Sequence, residues 1–233
     1  MVQALLFDVQ GTATDFHSTV AGEARRIAGD RFAGADWDAL VRRWRAGYFT
    51  ALEASRRRHD GWVPVHWVYR DALEAALDDC DIAGLSGVER DELTLAWRRL
   101  RPWPDVVPGL TRLKSRHTLA TLSNADVSTV IEISKRGGLP WDAVFAAEMA
   151  GVFKPDPAVY RLAATYLGRE PAEIMMVASH KYDIRAAARL GFATAFVARP
   201  LEFGVGGDAD TAYSDEFDVN ASDFVDLAEQ LGC

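Results

Sequence analysis

Asp8 ends the apolar run Ala4-Leu5-Leu6-Phe7 and is followed by Val9-Gln10-Gly11-Thr12, a turn bearing a carboxylate and a hydroxyl. A carboxylate so placed can act as a nucleophile, forming an ester that water then cleaves. It must stay ionised despite burial, which calls for a nearby cation and hydrogen-bond donors. Lys154, in Lys154-Pro155-Asp156-Pro157, supplies the cation, while Thr12 and Ser123 offer hydroxyls. Asn124 follows Ser123, and Asp183 follows Val177-Ala178-Ser179-His180-Lys181-Tyr182. Singly, each has an ordinary explanation. An Asp at a strand end is often a cap, and a Lys before a proline-rich turn is often only solvated. In this order, at successive apolar runs, they read as one constellation for nucleophilic hydrolysis.

Positioning them requires strands. The run at Ala4 to Phe7 is short and wholly apolar, as expected of a strand buried on both faces, and it delivers Asp8 into a loop. Similar runs recur at Thr118 to Leu122, Ala143 to Ala147, Ile174 to Ala178 and Thr194 to Val197. Helical patterns at about 126–136, 156–167 and 183–190 separate most of them. Alternation of this kind predicts a doubly wound α/β fold with a parallel sheet, whose reactive groups lie beyond the carboxyl ends of the strands. Asp8, Ser123 and the segment Ser179 to Asp183 all fall there.

Residues 16–103 lack a comparable strand. Asp36 opens a long helical pattern with Val41, Arg45, Tyr48 and Leu52 on one stripe, beside Trp37 and Trp44. A second helix is expected at about His66 to Leu77, and Ser86-Gly87-Val88-Glu89 has the form of a capping box before a third. An all-helical cap, 16–103, is thus inserted into a catalytic core of 1–15 and 104–233. Gly204 to Gly207 is expected in a surface loop, ahead of a C-terminal helix from about Ser222.

The 233 residues are 49% hydrophobic and carry a net charge of −8, which disfavours nucleic acid and anionic membranes as partners. The cap holds fourteen Arg against fourteen Asp and Glu and no Lys, so Arg56-Arg57-Arg58 reads as a solvated helix face. No run approaches a membrane span, and the opening residues lack a basic signal-peptide region. With two cysteines, Cys80 and Cys233, no disulfide framework is expected and the cytoplasm is the expected compartment. His17, His59, His66 and His117 show no ligand spacing, so neither a metal nor a cofactor is called for.

The four segments together resemble the haloacid dehalogenase superfamily of aspartate-nucleophile hydrolases, over essentially the whole chain. Its phosphatases carry a second Asp two residues after the nucleophile, where this chain has Gln10, and a further carboxylate where it has Ser179. Its phosphonate-cleaving members use a cap lysine, which is absent here. The resemblance is therefore to the L-2-haloacid dehalogenases, carried by Phe7-Asp8 through Ser18, Trp44-Arg45, Lys154 with Tyr160, and Leu190 through Pro200.

That resemblance implies hydrolysis of small 2-haloalkanoic acids to 2-hydroxy acids through an Asp8 ester, with inversion. Lys154 and Asp183 join Asp8 in catalysis. Thr12, Arg45, Ser123, Asn124, Tyr160 and His180 contact substrate or halide, with Val9 and Gln10 at the pocket. Three departures mark this chain: Gln10 replaces an aromatic, Ala178 a serine and His180 an asparagine. A histidine donor beside the leaving atom would suit fluoride, so fluoroacetate is an expected substrate. The family also suggests a homodimer. The competing readings are a Mg²⁺-dependent phosphomonoesterase and a non-catalytic descendant that binds a small acid.

Overall fold

β1 (Ala4–Phe7) is buried along its whole length, and its position follows from that. A strand with no polar face must lie inside a sheet covered on both sides. The fold is that of a computed structural model, which describes residues 1–58 and 61–233. His59 and the side chains of Arg56 and Arg58 lie outside the described residues, so the reading of that arginine run goes with them. After β1 come β2 (Thr14–Asp15), α1 (Phe16–Ala28), α2 (Trp37–Arg58), α3 (Val65–Asp79), α4 (Gly87–Thr94) and β3 (Arg101–Pro102). The chain continues through α5 (Val106–Leu113), β4 (Thr118–Ser123), α6 (Val127–Gly137), β5 (Ala143–Ala146) and α7 (Pro157–Leu167). It closes with β6 (Ile174–Ala178), α8 (Lys181–Ala188), β7 (Ala193–Val197), β8 (Val219–Ala221) and α9 (Phe224–Gln230).

Six strands form one parallel sheet in the order β5-β4-β1-β6-β7-β8. Phe7 lies opposite Thr121 and Val177, so Asp8 emerges between the carboxyl ends of β4 and β6. The α/β class, the parallel sheet and the inserted helical cap are as the sequence led one to expect. Four features are not. Neither α1 nor α5 was expected, α5 because Pro108 and Gly109 lie within it, and β8 is too short for a period-two pattern to register. A two-residue ladder pairs Thr14 with Pro102 and Asp15 with Arg101, joining the ends of the helical insertion.

Local chemistry explains the cap elements that matter. Asp36 accepts a 2.8 Å hydrogen bond from the Ala39 amide at the start of α2. The Ser86–Glu89 capping box is formed with both reciprocal bonds. Inward from α2, Trp44 is buried and donates from Nε1 to the Tyr69 carbonyl at 2.7 Å. The Asp126 carboxylate, at the start of α6, accepts from the Val65 amide at 3.0 Å and from Trp62 Nε1 at 3.1 Å, fastening α3 to the sheet side. No described helix is long and apolar enough to cross a membrane.

Candidate active site

Five segments converge at the carboxyl edge of the sheet. Asp8 follows β1, Ser123 and Asn124 end β4, Lys154 lies between β5 and α7, His180 and Asp183 straddle the start of α8, and Glu202 follows β7. Lys154 is 3% exposed and its Nζ donates to Asp8 Oδ1 at 3.0 Å, Asp183 Oδ2 at 2.5 Å and the Leu122 carbonyl at 2.7 Å. Asp8 Oδ2 accepts from Thr12 Oγ1 at 2.7 Å and faces His180 Nδ1 at 3.0 Å. Every oxygen of the two carboxylates is engaged, because Tyr160 donates its hydroxyl to Asp183 Oδ1 at 2.5 Å.

These contacts set the charges. Burial by itself would raise the Asp8 pKa, but the Lys154 charge and the bonds from His180 and Thr12 hold it well below the usual carboxylate range. Burial dominates at Asp183 and, with the Asp8 charge, raises its pKa despite Lys154. One carboxyl is thus kept as an anion while its neighbour is readier to take a proton. Burial disfavours the Lys154 ammonium, yet Asp183 and Asp8 outweigh it and push the pKa up. Burial likewise opposes charge on His180, and Glu202 and Asp8 overcome it, raising the pKa to about 10.

The residues expected at the substrate divide into two groups. Asp8, Gln10, Arg45, Ser123, Asn124, Lys154 and His180 line one small chamber, joined by Tyr48, Phe49 and Tyr182. Its volume of about 10 Å³ for the centre of a water molecule is room for about one water. Beyond Arg45, Phe49, His180 and Tyr182 opens a vestibule of about 400 Å³. The second group lies behind the chamber. Tyr160, expected to touch substrate, is instead buried against Asp183, because α7 packs on α8 and aims the phenol there. Thr12 links Asp8 to Ser179, accepting from the Ser179 amide at 2.9 Å. Val9 is buried, and its carbonyl accepts from Thr14 Oγ1 at 2.9 Å.

Arg45 has no carboxylate within ion-pair distance among the described residues. Its guanidinium stands 5.6, 5.5 and 5.8 Å from the ring centres of Phe16, Tyr48 and Phe49. Asn124 reads the Lys154 backbone, accepting from its amide at 2.7 Å and donating to its carbonyl at 3.1 Å. Gln10 Oε1 accepts from Tyr69 at 3.1 Å, and its amide nitrogen has no partner among the described residues. The Tyr48 hydroxyl, buried in the same wall, has none among them either. Glu202 was missed by sequence reasoning, since no motif surrounds it. It is buried and lies 2.7 Å from His180 Nε2. Among the described residues, no three His, Cys, Asp or Glu side chains are grouped so as to hold a metal ion.

The geometry suits an ionised aspartate attacking an electrophile while a neighbouring aspartate handles a proton. A family model for haloacid dehalogenase-like hydrolases matches residues 2–191. The chain belongs to this family. An (S)-2-haloacid dehalogenase of Xanthobacter autotrophicus is 32% identical over 207 residues, spanning 85% of this chain and 76% of that protein. A crystal structure of an L-2-haloacid dehalogenase is 38% identical with a TM-score of 0.90, covering 99% of this chain and all (100%) of that one. A defluorinating L-2-haloacid dehalogenase is 36% identical with a TM-score of 0.91, covering 100% of this chain and 96% of its own. This member of the family is a 2-haloacid dehalogenase, a hydrolase acting on carbon–halide bonds.

Proposed function

We propose that the enzyme hydrolyses small L-2-haloalkanoic acids through an ester on Asp8, with inversion at the substituted carbon. The observation that carries this reading is the ion pair between Asp8 and Lys154, backed by Thr12 and His180, which keeps a buried carboxylate ionised and facing the chamber. A new Asp8 oxygen–carbon bond forms as the carbon–halogen bond breaks, and the bonding pair leaves with the halide. Attack from the back sends the halide away from Asp8. Arg45, with no carboxylate at ion-pair distance among the described residues, attracts it there. Ser123 and the unpartnered donors of Gln10 and Tyr48 bind the substrate carboxylate.

Water then adds to the Asp8 ester carbonyl carbon, giving one proton to Asp183. The acyl–oxygen bond to the substrate breaks, Asp183 returns its proton to the hydroxy acid, and Asp8 is regenerated with release of a proton. Asp8, Lys154 and Asp183 carry the chemistry, Tyr160 and Asn124 fix Asp183 and Lys154, and no metal is required. All four carboxylate oxygens already have donors, two of them charged, and a cation would have to displace these. We read the core as 1–15 and 104–233 and the cap as 16–103, with β2 and β3 as the paired crossing point.

Single-turnover hydrolysis of 2-chloropropionate in ¹⁸O water tests the mechanism, run in excess EDTA with a parallel Mg²⁺ sample. Label is expected in the Asp8 carboxyl before it reaches product, at equal rates in both samples. Label found only in product on the first turnover would establish direct attack by water. Activity dependent on Mg²⁺ would restore the metal-assisted reading.

A further inference from the structure

His180 is gripped from both sides, its Nδ1 3.0 Å from Asp8 Oδ2 and its Nε2 2.7 Å from Glu202 Oε1. A neutral imidazole has one N–H and one lone pair, so it can donate to only one of two carboxylates. With a carboxylate at each nitrogen, both nitrogens must donate. Glu202 is 4% exposed and, among the described residues, forms no other ion pair. A buried carboxylate without a partner is costly, so the pairing is a built feature. Gly11 completes it. Its φ is +91°, and a Cβ there would stand 2.4 Å from Glu202 Oε1 and 3.3 Å from His180 Cε1. A side chain at this turn would drive the two apart.

The reaction removes charge from one side only. In the resting enzyme the Asp8 carboxylate is shared by Lys154 and His180. Once Asp8 is esterified it is neutral; Lys154 still has Asp183, while His180 is left with Glu202 alone. We propose that Glu202 is a positioning residue that keeps His180 protonated, with its Nδ1–H aimed at the Asp8 carboxyl, after Asp8 has become an ester. When water adds to the ester carbonyl, the carbonyl electron pair moves onto oxygen and one water proton passes to Asp183. Asp8 Oδ2, which takes donors from both Thr12 and His180, is the oxygen equipped to bear that charge. His180 donates a hydrogen bond to it and keeps its proton. Without Glu202, a buried imidazolium beside a neutral ester would give its proton up.

This inference rests on the aspartyl-ester reading. Across the pH range of the test, the shifted groups around His180 keep one charge state. Asp8 is ionised far below pH 7, Tyr182 is raised to about 12 by burial, and Lys154 and Arg45 are both shifted upward. Arg42 and Asp208 share the vestibule wall with His180. Glu202→Gln retains size and a hydrogen-bond acceptor but removes the charge.

In the parent, the His180 ring followed by NMR should titrate near 10, and in Glu202→Gln its midpoint should move toward the ordinary 6.5. Halide turnover in the variant should stay within a few-fold of parent at pH 6 and fall roughly 10- to 100-fold at pH 8.5. The Asp8 adduct, read by mass spectrometry, should accumulate. Glu202→Asp, which keeps the charge, should recover part of the alkaline activity. In a His180→Asn background, Glu202→Gln should add no new pH dependence. A parent His180 that titrates near 6.5, or a variant with the parent's pH profile, overturns the proposal, and the first result needs no variant to fold. A parent that forms no Asp8 adduct defeats the ester reading and this proposal together. A normal adduct with an unshifted His180 defeats this proposal alone.

Discussion

Lys154 and His180 lend Asp8 two positive charges from opposite sides, and their roles differ. Lys154 also binds Asp183, so its charge is divided between both carboxylates. His180 has both ring nitrogens engaged, with Asp8 and Glu202, and borders the chamber, so it acts on a leaving anion through its positive charge and not by a hydrogen bond of its own. Fluoride is the smallest halide and concentrates its charge most tightly, so its departure gains most from that charge. His180→Asn should therefore depress fluoride release from fluoroacetate far more than chloride release from chloroacetate. A preorganised charge or dipole in a dry site is worth roughly 10²- to 10³-fold in rate, enough to separate the two substrates. Equal losses on both would assign His180 to holding Asp8, and absence of fluoride release by the parent would end the defluorination reading.

Helix α2 does two tasks with adjacent faces. Val41, Trp44, Tyr48 and Leu52 are buried and hold the cap together, with the Trp44 and Tyr69 rings 6.2 Å apart at 89°. Arg45 and Phe49, the neighbouring stripe, look onto the chamber and the vestibule. A helix repeats every ~3.6 residues, so packing residues rigidly set where the arginine points. Phe49 is 48% exposed and closes one side of a chamber with room for about one water. Phe49→Ala should widen the mouth and shift preference toward longer acids. The ratio of kcat/KM for 2-chlorobutyrate to chloroacetate should rise about tenfold, the scale of one methylene in an apolar pocket. An unchanged ratio would place the length limit in another wall.

At the scale of the whole molecule, the buried ionic cluster links activity to folding. The His180 pKa is raised on folding, so its contribution to stability is complete below the unfolded value near 6.5 and is lost as pH rises through about 10. Thermal melts of parent and His180→Asn between pH 6 and 10 read this directly. The variant should melt lower at pH 6, and the two curves should converge toward pH 10. Parallel curves would mean that the histidine is neutral in the folded protein. On the acid side Asp8 acts in the opposite sense, since its depressed pKa contributes stability above the unfolded value that is lost as pH falls.

Much of this architecture was legible from local pattern. Wholly apolar runs such as Leu5 to Phe7 and Met175 to Val177 can only be strands covered on both faces, and parallel strands bring their carboxyl ends to one edge. Asp8, Ser123 and Asp183 therefore had to lie near one another, whatever the packing around them. The Ser86–Glu89 box was readable for the same reason, since it depends on residues within a turn, and so was the α2 stripe except at one place, where Trp44 packs inward and Arg45 turns to the chamber. What the sequence left open depends on contacts between distant segments. Tyr160 sits on Asp183 because α7 packs on α8, and Arg45 has no carboxylate at ion-pair distance among the described residues because Glu202, whose charge it feels, is paired with His180. Glu202 meets His180 only because the chain after β7 folds back, tied by Arg199 to the Thr12 carbonyl at 2.7 Å and to Asp105 at 2.9 Å. Periodicity and turn chemistry are short-range, so they determine which elements form and which end is reactive. The partners of a buried charge are chosen by burial itself, which only the tertiary structure decides.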